Sequence, residues 1–202
     1  GESSRYYKRR LFGGEKNMHT PGVDPVAAKT DWGPVGLNIC FDSCFPNLMR
    51  ESSLQGPVGL IALPTIDPES PHGFIAAMHA AFTPFRAAEL GVAIARADGY
   101  AHSMIVENNG QIVAELGPGV EDSIRATVDT TPKWTLYKAV GDWFLIVCAG
   151  ILIMVIGLSG RDKALQRRSA ERLKESSLVQ VLQEEHPKVA EVIADQRDGL
   201  NV

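Results

Sequence analysis

Two short apolar runs bounded by glycine and proline, residues 35–40 (VGLNIC) and 58–63 (VGLIAL), read as buried strands. Between them PNLMRESSLQG predicts a short helix. Residues 73–90 predict a longer helix, bent at Pro84, whose ring removes a backbone donor. Residues 92–97, 102–107 and 111–116 predict further strands, and Asn109-Gly110 predicts a hairpin turn because both residues tolerate positive φ. Strand, helix, strand, then hairpin describes an α/β layered domain.

A different pattern follows. Residues 143–160 (WFLIVCAGILIMVIGLSG) hold 18 consecutive positions without a charge. At 1.5 Å per residue they span roughly 27 Å, close to the hydrocarbon thickness of a bilayer, and predict a transmembrane helix. Trp143, with Trp134 and Tyr137 upstream, supplies aromatic side chains suited to the headgroup level. The alternative is the buried core helix of a soluble domain. Residues 161–174 carry Arg161, Lys163, Arg167, Arg168, Arg172 and Lys174 against Asp162 and Glu171. That excess places the C-terminus in the cytoplasm and residues 1–142 on the other side of the membrane.

Three parts result: an α/β region over 1–132, an interfacial segment and membrane helix over 133–160, and a charged tail over 161–202. The tail balances eight cations against eight anions, and Pro187 divides it into two helices, most simply a solvated tail without chemistry of its own. Over all 202 residues, 20 Lys and Arg stand against 24 Asp and Glu, which leaves no nucleic-acid footprint. Three cysteines do not make a disulfide framework.

Candidate chemistry centres on Cys40, which closes an apolar strand before FDSCFP. A thiol at a strand end near a helix N-terminus has a lowered pKa and is nucleophilic; a buried structural cysteine is the ordinary alternative. Cys40 and Cys44 also form a candidate redox or metal pair, but the spacing is not C-x-x-C and no nearby histidine completes a zinc set. Cys148 lies within the membrane helix. Lys8, in RYYKRRLFGGE with Glu15 seven residues on, can stabilise an oxyanion with the carboxylate positioning it; alone, the run reads as a basic surface.

Taken together, KRRLFGGEKNMHTPG and GLNICFDSCFP resemble the carbon–nitrogen hydrolase (nitrilase) superfamily, with its motifs K-x-H-L-F…E…P-G and G-L-x-x-C-Y-D-x-x-F-P. Lys8 matches the family's catalytic lysine, with Arg10 where histidine is usual. Glu15 matches the supporting glutamate and Cys40 the nucleophile, while Asp42, Phe45 and Pro46 match the acidic, aromatic and proline positions. His79, RAAELG at 86–91, and ARADGYAHSMIVENNGQIVAEL from Ala95 resemble the C-terminal half of the apolipoprotein N-acyltransferases. Thr131-Pro132, Tyr137, Gly141 and Trp143 fall where that branch approaches its last membrane span.

The sequence also departs from the family. The general-base glutamate belongs well upstream of the lysine, and only seven residues precede Lys8. Pro64-Thr-Ile-Asp-Pro-Glu69 replaces an N-D-x-W-F motif, and Asp98 stands where asparagine is usual. The expectation is therefore a C-terminal piece of a longer membrane enzyme, or a degenerate relative.

The resemblance implies a partial αββα sandwich followed by a membrane helix and a helical cytoplasmic tail, in a bacterial inner membrane with the catalytic region periplasmic. It implies a phospholipid acyl donor, a cysteine thioester, and the N-terminal amine of a lipoprotein as acceptor, with no metal or organic cofactor. A membrane-anchored amidase or nitrilase and a non-catalytic relative are the other readings.

Overall fold

A computed structural model describes residues 4–67, 73–185 and 187. The elements in chain order are α1 (Glu15–Met18), β1 (Val26–Thr30), β2 (Gly33–Leu37), a 3-10 helix (Cys40–Cys44), α2 (Pro46–Ser53), β3 (Leu60–Thr65), α3 (Phe74–Leu90), β4 (Ala93–Asp98), β5 (Ser103–Val106), β6 (Ile112–Leu116), α4 (Leu136–Val140) and α5 (Trp143–Glu185). The chain divides into two compact units after Trp143.

In the first unit the six strands form one sheet in sequence order. β2, β3 and β4 run parallel, while the β1–β2, β4–β5 and β5–β6 pairs are antiparallel. Parallel neighbours need a crossover, and α2 and α3 provide the two. Side chains alternate along each strand, so Ile61, Leu63, Ile94, Met104 and Val106 share one face and pack against Met49 of α2 and Ala80, Ala87 and Leu90 of α3. The opposite face presents Leu60, Ala62, Ala95 and Ile105, each only half-buried. Among the described residues the expected αββα sandwich is thus represented by one sheet with helices on one face.

The element order follows the sequence pattern, with three differences. β1 is too short and mixed (VAAKT) to show apolar alternation; it owes its place to a tight hairpin that pairs Thr30 with Gly33. The strand expected to reach Cys40 stops at Leu37, and the chain turns there into the 3-10 helix. The third difference is α1, a single turn on Glu15–Met18.

The second unit is α5, which continues without a break from the uncharged run past Arg161 to Glu185. It has the length and composition to cross a membrane, and no residue of its apolar window is buried. The second tail helix expected beyond Pro187 falls on residues outside those described.

Candidate active site

Because β2, β3 and β4 are parallel, their carboxyl ends emerge together, which is where open α/β sheets place their ligands. Cys40 lies three residues past β2, Asp67 two past β3, and Asp98 ends β4. Cys40 has φ +48°, the one described non-glycine residue with positive φ. An L-residue is strained there, and such strain clusters at functional sites. Its half-buried thiol is directed at the Ile66 carbonyl, 3.9 Å away.

The segment carrying Lys8 is clamped to this turn by Asp42, which is fully buried. One carboxylate oxygen accepts the backbone N–H groups of Arg9 (3.2 Å) and Arg10 (2.8 Å). The other accepts the Tyr6 hydroxyl (2.7 Å) and the Ile39 N–H (3.0 Å). Burial, reinforced by that bond, pushes the Tyr6 phenol well above its ordinary range. In the 3-10 helix Asp42 is thus spent on holding two segments together. Pro21-Gly22 closes the other side. The Gly22 N–H donates to the Lys8 carbonyl (2.9 Å), and a side chain at Gly22 would place its Cβ 2.3 Å from the Tyr7 carbonyl oxygen.

Lys8 Nζ donates to both carboxylate oxygens of Glu15, at 2.8 and 2.7 Å. Glu15 also accepts the Phe12 N–H at 2.7 Å. Burial alone would raise the Glu15 pKa, but the bonds from Lys8 and Phe12 outweigh it and hold it below the usual value. Arg10 lies over the Phe45 ring at 5.2 Å, within a cluster of Phe12, Phe41 and Phe45.

Burial pushes the Cys40 thiol up. Backbone hydrogen bonds at Ile66 and Phe41 and the charge of Lys8 work against that rise, while Asp67 adds to it. Lys8 and Cys40 are thus close enough to interact. The lowered pKa expected from a helix N-terminus is not found, because a single 3-10 turn does not offset desolvation.

Beneath Cys40 is a network that sequence reasoning did not assign. His79 Nδ1 meets Asp67 Oδ1 at 2.6 Å, and His79 Nε2 lies 2.9 Å from Ser43 Oγ and 3.2 Å from the Cys40 carbonyl oxygen. Arg96 Nη2 bridges Asp67 (2.6 Å) and Asp98 (2.8 Å). Asp98 also accepts the backbone N–H groups of Asp67, Tyr100 and Ala101. Burial opposes its charge, but these donors and Arg96 lower its pKa, so aspartate in place of asparagine neutralises a buried guanidinium. Burial disfavours a charge on His79, yet the Asp67 bond and a contact with Cys44 raise its pKa to about 9. The signal available in the sequence was Arg96, an inward cation on an apolar strand that requires a carboxylate partner. Cys40, Asp67 and His79 each offer a metal-ligand atom within 4.8 Å of the others. Those of Asp67 and His79 are already bonded to each other, with Arg96 on the same carboxylate, so the trio is organised as a hydrogen-bond network.

The sequence model of carbon–nitrogen hydrolases matches residues 2–134. This chain belongs to the carbon–nitrogen hydrolase family. The apolipoprotein N-acyltransferase 1 of Treponema denticola is 30% identical over 122 residues, covering 59% of this chain and 22% of that protein. The apolipoprotein N-acyltransferase of a Synechocystis species is 29% identical over 132 residues, covering 65% of this chain and 25% of that protein. The chain thus spans about a quarter of the length of these relatives. A solved Saccharomyces cerevisiae member of the nitrilase superfamily superposes with a TM-score of 0.50 at 27% identity, over 56% of this chain and 44% of that one. The fold is a mixed α/β nitrilase-like sheet followed by one long apolar helix.

Proposed function

We propose that this chain is part of a membrane-bound N-acyltransferase in which Cys40 carries the acyl group. What supports this most is a Lys8 held by both oxygens of Glu15 within electrostatic range of a strained, half-buried Cys40 at the sheet's carboxyl edge. The similarity to apolipoprotein N-acyltransferases and the uncovered apolar stretch of α5 favour lipid substrates over small amides.

In this reading the Cys40 thiolate attacks the ester carbonyl of a phospholipid, and Lys8 and a backbone N–H bear the charge on the tetrahedral oxygen. Collapse expels the lysophospholipid alcohol, which takes up a proton, and leaves a Cys40 thioester. The N-terminal amine of a lipoprotein then attacks that thioester, loses a proton, and releases the thiolate. A thiol raised by burial needs a base to lose its proton. Glu15 and Asp42 are both committed elsewhere, so the proposal assigns that step to the glutamate that the family resemblance places upstream of Lys8. Residues 1–142 are proposed to face the periplasm, with Arg161 onward in the cytoplasm.

The test is transfer of a labelled acyl chain from phospholipid to a diacylglyceryl peptide with a free amine, by the full-length protein in membranes. N-acylated peptide is expected; ammonia release from short amides without it would favour the amidase reading. For the orientation, a cysteine placed at Asn109 should be labelled from outside intact cells and one at Ser177 should not. The reverse pattern would overturn the topology.

A further inference from the structure

The Cys40 carbonyl oxygen is gripped from two sides: Ser43 Oγ donates to it at 2.9 Å, and His79 Nε2 lies 3.2 Å away. The ring's protonation follows from its partners. Nδ1 faces a carboxylate oxygen at 2.6 Å, while Nε2 faces a carbonyl oxygen and a hydroxyl whose proton is already given to that carbonyl. Only an imidazolium, with a proton on each nitrogen, gives every one of these contacts a donor. The cation is buried, 8% exposed, among Asp67 past β3, Arg96 of β4, and Ser43 and Cys44 of the 3-10 helix.

Gripping that carbonyl has a consequence on the other side of the peptide. Across a trans peptide the C=O and the following N–H point in opposite directions. Drawing the Cys40 carbonyl towards His79 leaves the Phe41 N–H on the side of the peptide away from His79, and the Phe41 backbone is among the groups that work against the rise of the Cys40 pKa. Cys40 holds a positive φ that the chain would otherwise relax.

We propose that His79, oriented by Asp67 and Arg96, is a positioning residue that fixes the Cys40–Phe41 peptide in its strained conformation, so that the Phe41 N–H is presented to the thiolate and to the oxyanion formed from it. A His79 ring nitrogen lies within 4.8 Å of the Cys40 sulfur, but its hydrogen bonds go to Asp67, Ser43 and the Cys40 carbonyl, so it acts through the backbone. The oxyanion role rests on the proposed function, whereas the effect on the thiolate does not.

The experiment is iodoacetamide alkylation of Cys40 as a function of pH, in the full-length protein in its membrane. Fragment-ion mass spectrometry separates Cys40 from Cys44. The charged groups facing the thiol are Lys8, Asp67 and His79, with Arg96 on the far side of Asp67, so the variants keep Lys8 and Arg96 intact. His79→Ala is expected to raise the pH midpoint of Cys40 alkylation by about one unit, the size of one hydrogen bond to a charged group, and to slow alkylation at pH 8 about ten-fold. His79→Gln, which keeps an N–H donor but no charge, restores the rate to within about three-fold if the grip on the carbonyl is what counts. An unchanged midpoint in folded His79→Ala, or no rescue by His79→Gln, overturns the proposal. Should His79→Ala fail to fold, Ser43→Ala removes one bond to the same carbonyl and must move the midpoint upward; no movement overturns the proposal equally. Since alkylation needs no lipid, a normal shift combined with absent acyl transfer would refute the function while leaving the positioning role standing.

Discussion

Cys40 sits between two pairs of carboxylate and cation that are built in opposite ways. On one side Glu15 holds Lys8, seven residues away on the same segment, and the glutamate side chain is 37% exposed. On the other side Asp67 holds His79 and Arg96, drawn from the end of β3, from α3 and from β4, and all three are buried. The first pair sets a cation within electrostatic range of the thiol. The second faces the backbone of Cys40, where His79 Nε2 meets the carbonyl oxygen. In the proposed reading one group does chemistry and the other holds it still, and Asp42 ties the Lys8 segment to the Cys40 turn through its bonds to Arg9, Arg10 and Ile39.

If that division is right, substitutions on the two sides fail in different ways. Lys8→Met should lower acyl transfer about 10²–10³-fold, the usual cost of losing one oxyanion donor, with little change in unfolding. A loss of stability that accounts for the lost rate would place Lys8 with the structural side. Asp42→Ala should instead destabilise the first unit by about 2–4 kcal/mol in a denaturant titration, since it strands several buried donors. Wild-type stability in that variant would show that the two segments are held by other contacts.

A smaller effect distinguishes the carboxylates. Glu15→Gln should lower transfer about ten-fold by freeing Lys8 while leaving alkylation of Cys40 near normal. Because the Glu15 pKa is depressed, its contribution is present above the ordinary carboxylate range and is lost only as pH falls through the depressed value. His79 gives the opposite sign. Its folded pKa of about 9 lies above the unfolded 6.5, so its stabilisation is complete below 6.5 and fades as pH rises towards 9. Wild-type stability against unfolding should fall over that window, and His79→Gln should remove the dependence; a dependence that persists would assign it to another group.

The same contrast explains what was legible in the sequence. Lys8, Glu15, Cys40 and Pro21-Gly22 lie in two compact motifs, so they could be singled out from residue order. Seven elements of the first unit, β2 to β6 with α2 and α3, follow from the apolar pattern and one turn dipeptide, because burial on one face imposes a period that the chain displays. β1 was missed because its five residues (VAAKT) owe their strand to a hairpin rather than to burial. The Asp67–His79–Arg96 network spans 30 residues and exists only once β3 and β4 lie side by side with Thr65 opposite Asp98. The clamp made by Asp42 is hidden for a related reason: its side chain is buried because the chain leaves the extended conformation at Cys40.

The central claim is that Cys40 carries the acyl group. The direct measurement is to expose the full-length protein in membranes to phospholipid with a labelled acyl chain, quench in acid, and locate the hydroxylamine-labile adduct by peptide mass spectrometry. The account predicts the label on Cys40, retained in Cys44→Ala and lost in Cys40→Ala. Label on Cys44, or label that survives Cys40→Ala, would contradict it.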